Sequence, residues 1–240
     1  MDSGLAVGTR MGGRAASASL LNAVSELIPA DERVVVIDDS KELALLRDHV
    51  VTLEACPNDA KGRGEVTIRQ LLRITLRMRP DRIVIGELRG GEALDLVQAM
   101  TSGHGGCLIT LHATYPRDVA TRLETMAMIA GIEMPLAALR AQIASAVDIV
   151  IQASRFRDGT RKVTHISEIT GCDMSKGTYQ INDLFLRKVK GVDSEGRVLS
   201  KLVPTGNLPD CMETIRAAGL DAPAAVLEAS WRREQKGQGS

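Results

Sequence analysis

A carboxylate that follows a short apolar segment is the clearest candidate for chemistry in this sequence. Residues 82–85 (RIVI) form a mostly apolar run, and Gly86 and Glu87 follow it directly. A strand of this kind would fix Glu87 at the edge of a sheet, where it can orient a water or a hydrated Mg²⁺ beside a phosphate group. Arg89 would lie next to it. The alternative is that Glu87 only caps the helix that follows.

Two further acids follow a second apolar run. The segment RVVVI at 33–37 is succeeded by Asp38 and Asp39. Adjacent carboxylates at a strand end suit the positioning of a metal ion or a water. They can also hydrate a loop or cap a helix, and for this pair taken alone the capping interpretation is the stronger one.

Histidines flank a third apolar run at 107–111. A glycine-rich turn that contains His104 precedes this run, and His112 follows it. A histidine at a strand end can respond to a bound phosphate or bridge to a neighbouring subunit, because its charge changes near neutral pH. His104, Cys107 and His112 also have the chemistry of metal ligands. We expect no metal there, because no fourth ligand lies nearby and Cys107 begins a buried strand.

The elements that would position these side chains alternate between strand and helix. Continuous apolar runs are typical of strands that are buried on both faces of a parallel sheet. Strands are predicted at 33–37, 49–53, 82–85, 107–111 and 149–152, and helices at 15–28, 67–78, 91–102, 116–130 and 135–145. The pattern indicates an α/β fold with a mostly parallel sheet flanked by helices. Ligands of such sheets bind beyond the carboxyl ends of the strands, which is where the candidate side chains fall.

The pattern changes after about residue 163. Strands are predicted at 163–169 and 178–184 with a turn at 174–177 between them, and short helices near 211–218 and 223–232. This part predicts a small α+β appendage. The last residues, 236–240, are polar, and we expect them to be disordered.

Composition excludes several classes of function. The 240 residues give room for one large domain, or one domain and a small appendage. Lys+Arg and Asp+Glu both total 30, and aromatics are only 2%, so we expect no direct binding of nucleic acid. The four cysteines form no C-x-x-C pair, as in a reduced cytosolic protein. We expect neither a membrane span nor export, since the sequence has no 18-residue apolar run and no signal pattern.

Four ordered blocks of the sequence resemble the CpaF-type ATPases, which belong to the type II/type IV secretion ATPase superfamily. The resemblance runs from about Leu20 to Gly171, and more loosely through Leu184 and beyond. The blocks are LLNAVSELIPADERVVVIDDSKEL, RPDRIVIGELRGGEALDLVQAM, TSGHGGCLITLHATYPRDVATRLETM and AALRAQIASAVDIVIQASRFRDGTRKVTHISEITG.

The resemblance implies a RecA-like P-loop NTPase domain that uses ATP and Mg²⁺ to assemble or export pilus subunits. Its partners would be further copies in a homohexamer, or paralogues in a mixed ring, and platform proteins of the inner membrane, with the chain on the cytoplasmic side. The implied catalytic residues are Glu87, Asp38 and His112. The implied nucleotide-binding residues are Gly12, Gly13, Ser17, Ser19, Asp39, Gly86, Arg89 and His104. Arginines of the region 69–77, namely Arg69, Arg73 and Arg77, are candidates to contact nucleotide across a subunit interface, or else form a solvated basic stripe.

The phosphate loop departs from the pattern of this family. G-x-x-x-x-G-K-[ST] is expected before the first helix, but Ser17 stands at the lysine position and Ala18 at the hydroxyl position. Met11 and Ala16 stand at the two glycine positions, and Asp38 stands where the family carries Glu. The loss removes a charge contact to the phosphates and a ligand of Mg²⁺.

The start of the chain also departs from the family, which has a further N-terminal region. Only residues 5–8 could form the strand that leads into the loop. A decayed gene, a start site placed too late and a non-hydrolysing paralogue all explain this beginning. We divide the chain into a degenerate phosphate-loop region (1–19), a RecA-like domain (20–171), the appendage (172–235) and the tail (236–240).

Two alternatives to a motor ATPase stay open. One is a catalytically inactive paralogue or fragment that joins or regulates a ring of intact subunits, which the loop composition favours. The other is a DNA-transfer ATPase of a conjugation system. The neutral charge and the low aromatic content count against this second alternative.

Overall fold

The computed structural model describes residues 5–10, 14–40, 42–45, 47–217 and 219, with side chains from Ala18 onward except at 213 and 214. The strands are β1 (Leu5–Arg10), β2 (Val34–Asp38), β3 (Val50–Glu54), β4 (Arg82–Ile85), β5 (Leu108–His112), β6 (Ile149–Arg155), β7 (Arg161–Asp173), β8 (Thr178–Val192) and β9 (Val198–Pro204). The helices are α1 (Arg14–Ser25), α2 (Ile68–Thr75), α3 (Glu92–Thr101), α4 (Pro116–Ile129), α5 (Leu136–Ala146) and α6 (Met212–Ala217).

All of these strands belong to one sheet, in the order β3-β2-β4-β5-β1-β6-β7-β8-β9. The pairs from β3 to β6 are parallel, and the pairs from β6 to β9 are antiparallel. Strand β1 lies between β5 and β6, so the predicted strand at 5–8 is confirmed and occupies a central place. The chain enters α1 three residues after β1 ends, beside the carboxyl ends of the other parallel strands.

Helices cover both faces of the parallel strands. Leu21 of α1 packs with Val34, Val36 and Val84 on one face. On the other face α2 to α5 pack against Ile37 and the alternate residues of β4 and β5. Burial on both faces explains the continuous apolar runs in the sequence, since neither side of these strands meets water. The predicted α/β class is confirmed.

The antiparallel strands extend the same sheet. β7 runs from residue 161 to residue 173 and crosses the predicted boundary at residue 171. A partly buried cluster ties this region to the helices, because Glu124 of α4 accepts hydrogen bonds from Arg140 Nε (2.9 Å) and Tyr179 Oη (2.7 Å). The division of the chain into domains stays a prediction.

Several elements differ from the sequence predictions, and helix α1 ends at Ser25 rather than at residue 28. Helix α2 ends at Thr75 rather than at 78, because Arg77 and Met78 donate to the carbonyls three residues earlier, in a tighter turn. Strand β9 was not predicted, and β7 and β8 are longer than expected. The helix predicted at 223–232 and the tail at 236–240 lie outside the described residues. Among the described helices, none combines the length and the apolar composition that crossing a bilayer requires.

Candidate functional site

The candidate site lies at the carboxyl edge of the parallel strands. Because β2, β4 and β5 are neighbours in the sheet, the residues that end them face a common cleft beside α1. The cleft is lined by Ala18, Asp38, Asp39, Ser40, Glu42, Leu43, Gly86, Glu87, Thr110, Leu111 and His112. Its volume of ≈ 20 Å³ has room for about one water molecule. Such a space suits a single water molecule beside the carboxylates.

Glu87 contacts two basic side chains. Its Oε1 lies 2.9 Å from His112 Nε2, and its Oε2 pairs with Arg89 Nη2. The side chain of Glu87 is only 11% exposed, whereas those of His112 and Arg89 are 47% and 43% exposed. The glutamate is therefore fixed inside the cleft while its partners reach solvent. The capping alternative does not describe Glu87, because Glu92 accepts the N–H groups of residues 89 and 90 before α3.

Arg89 links the two acidic positions of the site. Its Nη1 lies 2.6 Å from Asp39 Oδ2, and its other terminal nitrogen pairs with Glu87. The hydrogen bond to Glu87 is the largest cause that raises the pKa of Arg89 above its ordinary value. The site is thus a chain of contacts in which acidic and basic side chains alternate, from Asp39 through Arg89 and Glu87 to His112.

Asp38 has different surroundings from Glu87. Its Oδ1 accepts the N–H of Asp39 (2.8 Å), and its Oδ2 accepts those of Glu42 (2.9 Å) and Leu43 (3.2 Å). The residue is 3% exposed. These bonds give Asp38 a structural role in the turn after β2, of the capping kind. A catalytic role for Asp38 stays a prediction.

Gly86 is required by the close approach of Asp38. A Cβ at residue 86 would meet Asp38 Oδ1 at 2.3 Å. The main chain on either side of Gly86 is fixed, because its N–H donates to Ile37 O (2.9 Å) and its carbonyl accepts the Thr110 hydroxyl. The small residue before Glu87 thus lets β2 and β4 end side by side.

Helix α1 lines the cleft beside the ends of β2, β4 and β5. The side chain of Ala18 lines it together with Glu87 and His112, so the position expected to carry a hydroxyl does face the acidic residues. Ser17 belongs to α1 and Ser19 is exposed. Gly12 and Gly13 lie outside the described residues.

His104 does not join this site within one chain. His104 precedes β5, whereas His112 ends β5. The two histidines therefore lie at opposite ends of this strand, roughly 13 Å or more apart along the strand direction. The N–H of His104 donates to Ala99 O (3.1 Å). Across the described residues no group of three or more potential ligands is suited to a metal ion.

The arginines of α2 are paired within the chain. Arg69 Nε contacts Asp95 Oδ2, and Arg73 Nη2 lies 3.1 Å from Asp95 Oδ1. Asp95 is on α3, so these arginines fix α2 against α3. Their contact with a nucleotide across a subunit interface stays a prediction.

Two buried polar residues near the site were missed from the sequence. Thr110 is 2% exposed and donates to the Gly86 carbonyl. Gln152 is completely buried at the carboxyl half of β6. Thr110 interrupts the apolar run at 107–111, and Gln152 follows the apolar residues 149–151, so a polar residue within or directly after such a run is the signal that would have found both.

The fold is that of a RecA-like α/β domain, and the candidate cleft lies at the carboxyl edge of its parallel strands. Residues 12–191 match the family model described as "Type II/IV secretion system protein". The chain belongs to this family.

Several relatives are named as parts of type IV secretion or conjugation systems. The chain is 43% identical over 160 residues to a putative conjugal transfer protein of Mycobacterium tuberculosis, covering 67% of this chain and 44% of that one. It is 42% identical over 141 residues to the type IV secretion system protein PtlH of Bordetella pertussis, covering 57% and 41%. The chain spans less than half the length of these curated relatives.

Solved structures show the same fold. The VirB11 ATPase from the Brucella suis type IV secretion system, in complex with sulphate, superposes with a TM-score of 0.60 at 31% identity, covering 69% of this chain and 49% of that one. The pilus retraction motor PilT with bound ADP gives a TM-score of 0.50 at 16% identity, covering 96% and 55%. The second likeness concerns the fold alone.

Proposed function

We propose that this chain is the nucleotide-binding domain of a motor ATPase for pilus assembly or type II/type IV secretion, of the CpaF type. The observation that carries the proposal is the contact chain Asp39–Arg89–Glu87–His112 at the start of α1. A carboxylate with a histidine and an arginine beside the helix that follows a phosphate loop suits a site for phosphoryl chemistry.

The donor set fits Mg-ATP only in part. The carboxylates of Asp39 and Glu87 are hard oxygen donors that suit a hydrated Mg²⁺. Ser17 and Ala18 supply neither the lysine charge for the phosphates nor the hydroxyl for the metal. Ala18 lines the cleft, so the position at which the family pattern expects a hydroxyl presents a methyl group there. We therefore derive no hydrolytic step for this chain.

The loop residues favour a second candidate function, a catalytically inactive subunit that joins or regulates a ring with intact paralogues. In that case the charged cleft and the packing of the sheet would be retained while turnover is lost. Platform proteins of the inner membrane, approached from the cytoplasmic side, are the partners that suit either function. The printed name of the mycobacterial relative also supports a conjugation system as the setting.

Steady-state phosphate release by the purified chain tests whether this domain is an active motor or the inactive subunit. We expect little Mg-dependent ATP turnover, well below the roughly 1–10³ s⁻¹ typical of enzymes, because the lysine and the hydroxyl are missing. Glu87→Gln is the matched control for contaminating activity, and it should release phosphate at the same low rate. Turnover in the enzymatic range that Glu87→Gln abolishes would contradict the inactive-subunit function and support an active motor.

A further inference from the structure

Gln152 is a completely buried polar side chain in β6. Its Nε2 donates to Ala113 O (3.1 Å) and to Ala153 O (3.3 Å). Two carbonyls around one end of the carboxamide fix which end carries the nitrogen. Gln152 Oε1 is therefore a buried acceptor, and it has no hydrogen-bond partner.

The side chain of Gln152 bridges two strands that are not neighbours. Strand β1 lies between β5 and β6, and Gly8 of β1 is opposite both Leu111 and Gln152. To reach Ala113, the carboxamide crosses β1 on the face that carries Leu111. The residue that it holds, Ala113, comes directly after His112.

The main chain of Gln152 is fixed from the other side by a β-bulge. Gln152 is opposite His165 and Ala153 is opposite Val163, so Thr164 is the extra residue. The Thr164 hydroxyl donates to Gln152 O (3.1 Å). Bulges often re-aim a side chain next to a functional site. Here the bulge lies at the residue whose side chain reaches the turn after His112.

We propose that Gln152 is a positioning residue of the candidate site: it fixes the main chain after His112 and so holds the imidazole against Glu87. This inference rests on the proposed function for its meaning. An apolar side chain of the same length would fill the space without a buried, unsatisfied oxygen, so packing alone gives no reason for a glutamine here. The two donated hydrogen bonds to the main chain give that reason.

Histidine NMR of the full chain tests the proposal without any nucleotide. The sequence has four histidines, His49, His104, His112 and His165, and single His→Gln variants assign their C2–H signals. In the native chain Glu87→Gln should shift the His112 signal, since the two side chains are 2.9 Å apart. In a Gln152→Met background that response should fall to less than half, while the His49 and His104 signals stay in place.

Gln142→Met is the matched control, because the amide oxygen of Gln142 is also buried without a partner but lies on α5. The Glu87→Gln response should keep its full size in that background. If Glu87→Gln shifts the His112 signal by its full amount in the Gln152→Met background, the proposal is overturned. An equal shift of all four histidine signals by Gln152→Met would also overturn it. If Gln152→Met does not fold, Gln152→Asn keeps a carboxamide but retracts it from Ala113, and the same two outcomes decide. This NMR result does not depend on ATP binding. Failure of the proposed function can therefore be distinguished from failure of the role proposed for Gln152.

Discussion

Asp38 and Glu87 end neighbouring strands, but their oxygen atoms have different partners. Asp38 is occupied by three N–H groups of its own turn, whereas Glu87 meets two side chains that reach solvent. We expect Asp38→Ala to lower the free energy of unfolding by roughly 3 kcal/mol, because it leaves buried N–H groups without the charged acceptor that they have in the native chain. Glu87→Ala should cost only about 0–1 kcal/mol, as for partly exposed ion pairs.

Thermal unfolding of the two alanine variants separates a structural carboxylate from a functional one. For a chain of this size each kcal/mol lowers Tm by about 2–4 °C, so Asp38→Ala should unfold near 10 °C below the native chain. Glu87→Ala should stay within about 4 °C of it. A loss of many degrees in Glu87→Ala would make Glu87 a structural residue, and its assignment to the site would be wrong.

Gly86 offers a test of how tightly the two strand ends approach. In Gly86→Ala the new Cβ would meet Asp38 Oδ1 at 2.3 Å, and Asp38 cannot withdraw without leaving its N–H partners. We expect a loss of about 1–3 kcal/mol, as for overpacked sites, measured by denaturant unfolding. Gly90→Ala is the control, because its Cβ would meet only the end of the Glu92 side chain, at 3.1 Å. Equal losses in both variants would contradict the close approach.

At the scale of elements, a single aspartate joins the turn between β6 and β7 to the edge strand β9. Asp158 accepts the Thr160 hydroxyl (2.6 Å) and the N–H of Val198 (2.7 Å). The Thr160 hydrogen bond is the largest cause that lowers the pKa of Asp158 to about 2. The unfolded chain, with an ordinary carboxyl, binds this proton more readily.

The lowered pKa of Asp158 predicts a contribution that is present above about pH 4 and is lost as pH falls toward 2. The difference in Tm between the native chain and Asp158→Asn should therefore shrink from pH 5 to pH 3. Glu195→Gln, which removes a solvent-exposed partner of Arg197, is the control and should show no such trend. A constant difference across this range would show that Asp158 does not stabilise the fold as a carboxylate.

The elements that the sequence predicted best are the strands that are buried on both faces of the sheet. β2, β4 and β5 agree within a residue, because burial on both faces leaves an unbroken apolar run. The long antiparallel strands were harder, because exposed residues such as Lys188 and Lys201 interrupt the apolar pattern. The end of α2 was missed because its last predicted turn tightens before Arg79, whose φ is 52°, and Pro80.

The members of the site could be predicted from the sequence, but not their contacts. Each candidate follows a recognisable run, so Asp39, Glu87 and His112 were found one by one. That Arg89 would join Asp39 to Glu87 depends on β2 lying beside β4, which is a property of strand order. His104 lies at the other end of the parallel strands. It precedes β5, whereas the site lies at the carboxyl end of β5.

At the scale of the whole molecule, the cleft is assembled although the resemblance predicts a degenerate phosphate loop, with Met11, Ala16, Ser17 and Ala18 at the motif positions. The sheet order places the start of α1 beside Glu87 and His112, and Ala18 faces them. A damaged motor and a protein adapted to another task therefore differ in whether the rest of the cleft still accepts a nucleotide. Replacing residues 12–19 with a consensus loop that contains Lys and Thr distinguishes them.

The repaired chain should bind Mg-ATP, because the new loop supplies backbone donors, a lysine charge and a hydroxyl to the carboxylates already present. A ligand at 100 times its Kd adds about 2.7 kcal/mol to the native state, so Tm should rise by roughly 5–10 °C. The same loop with Ala in place of the Lys is the control and should show a much smaller rise. Hydrolysis should stay slow, because both oxygens of Asp38 are held by the turn after β2. If the repaired chain folds and millimolar Mg-ATP leaves its Tm unchanged, the cleft does not bind a nucleotide. The catalytically inactive subunit then becomes the better explanation.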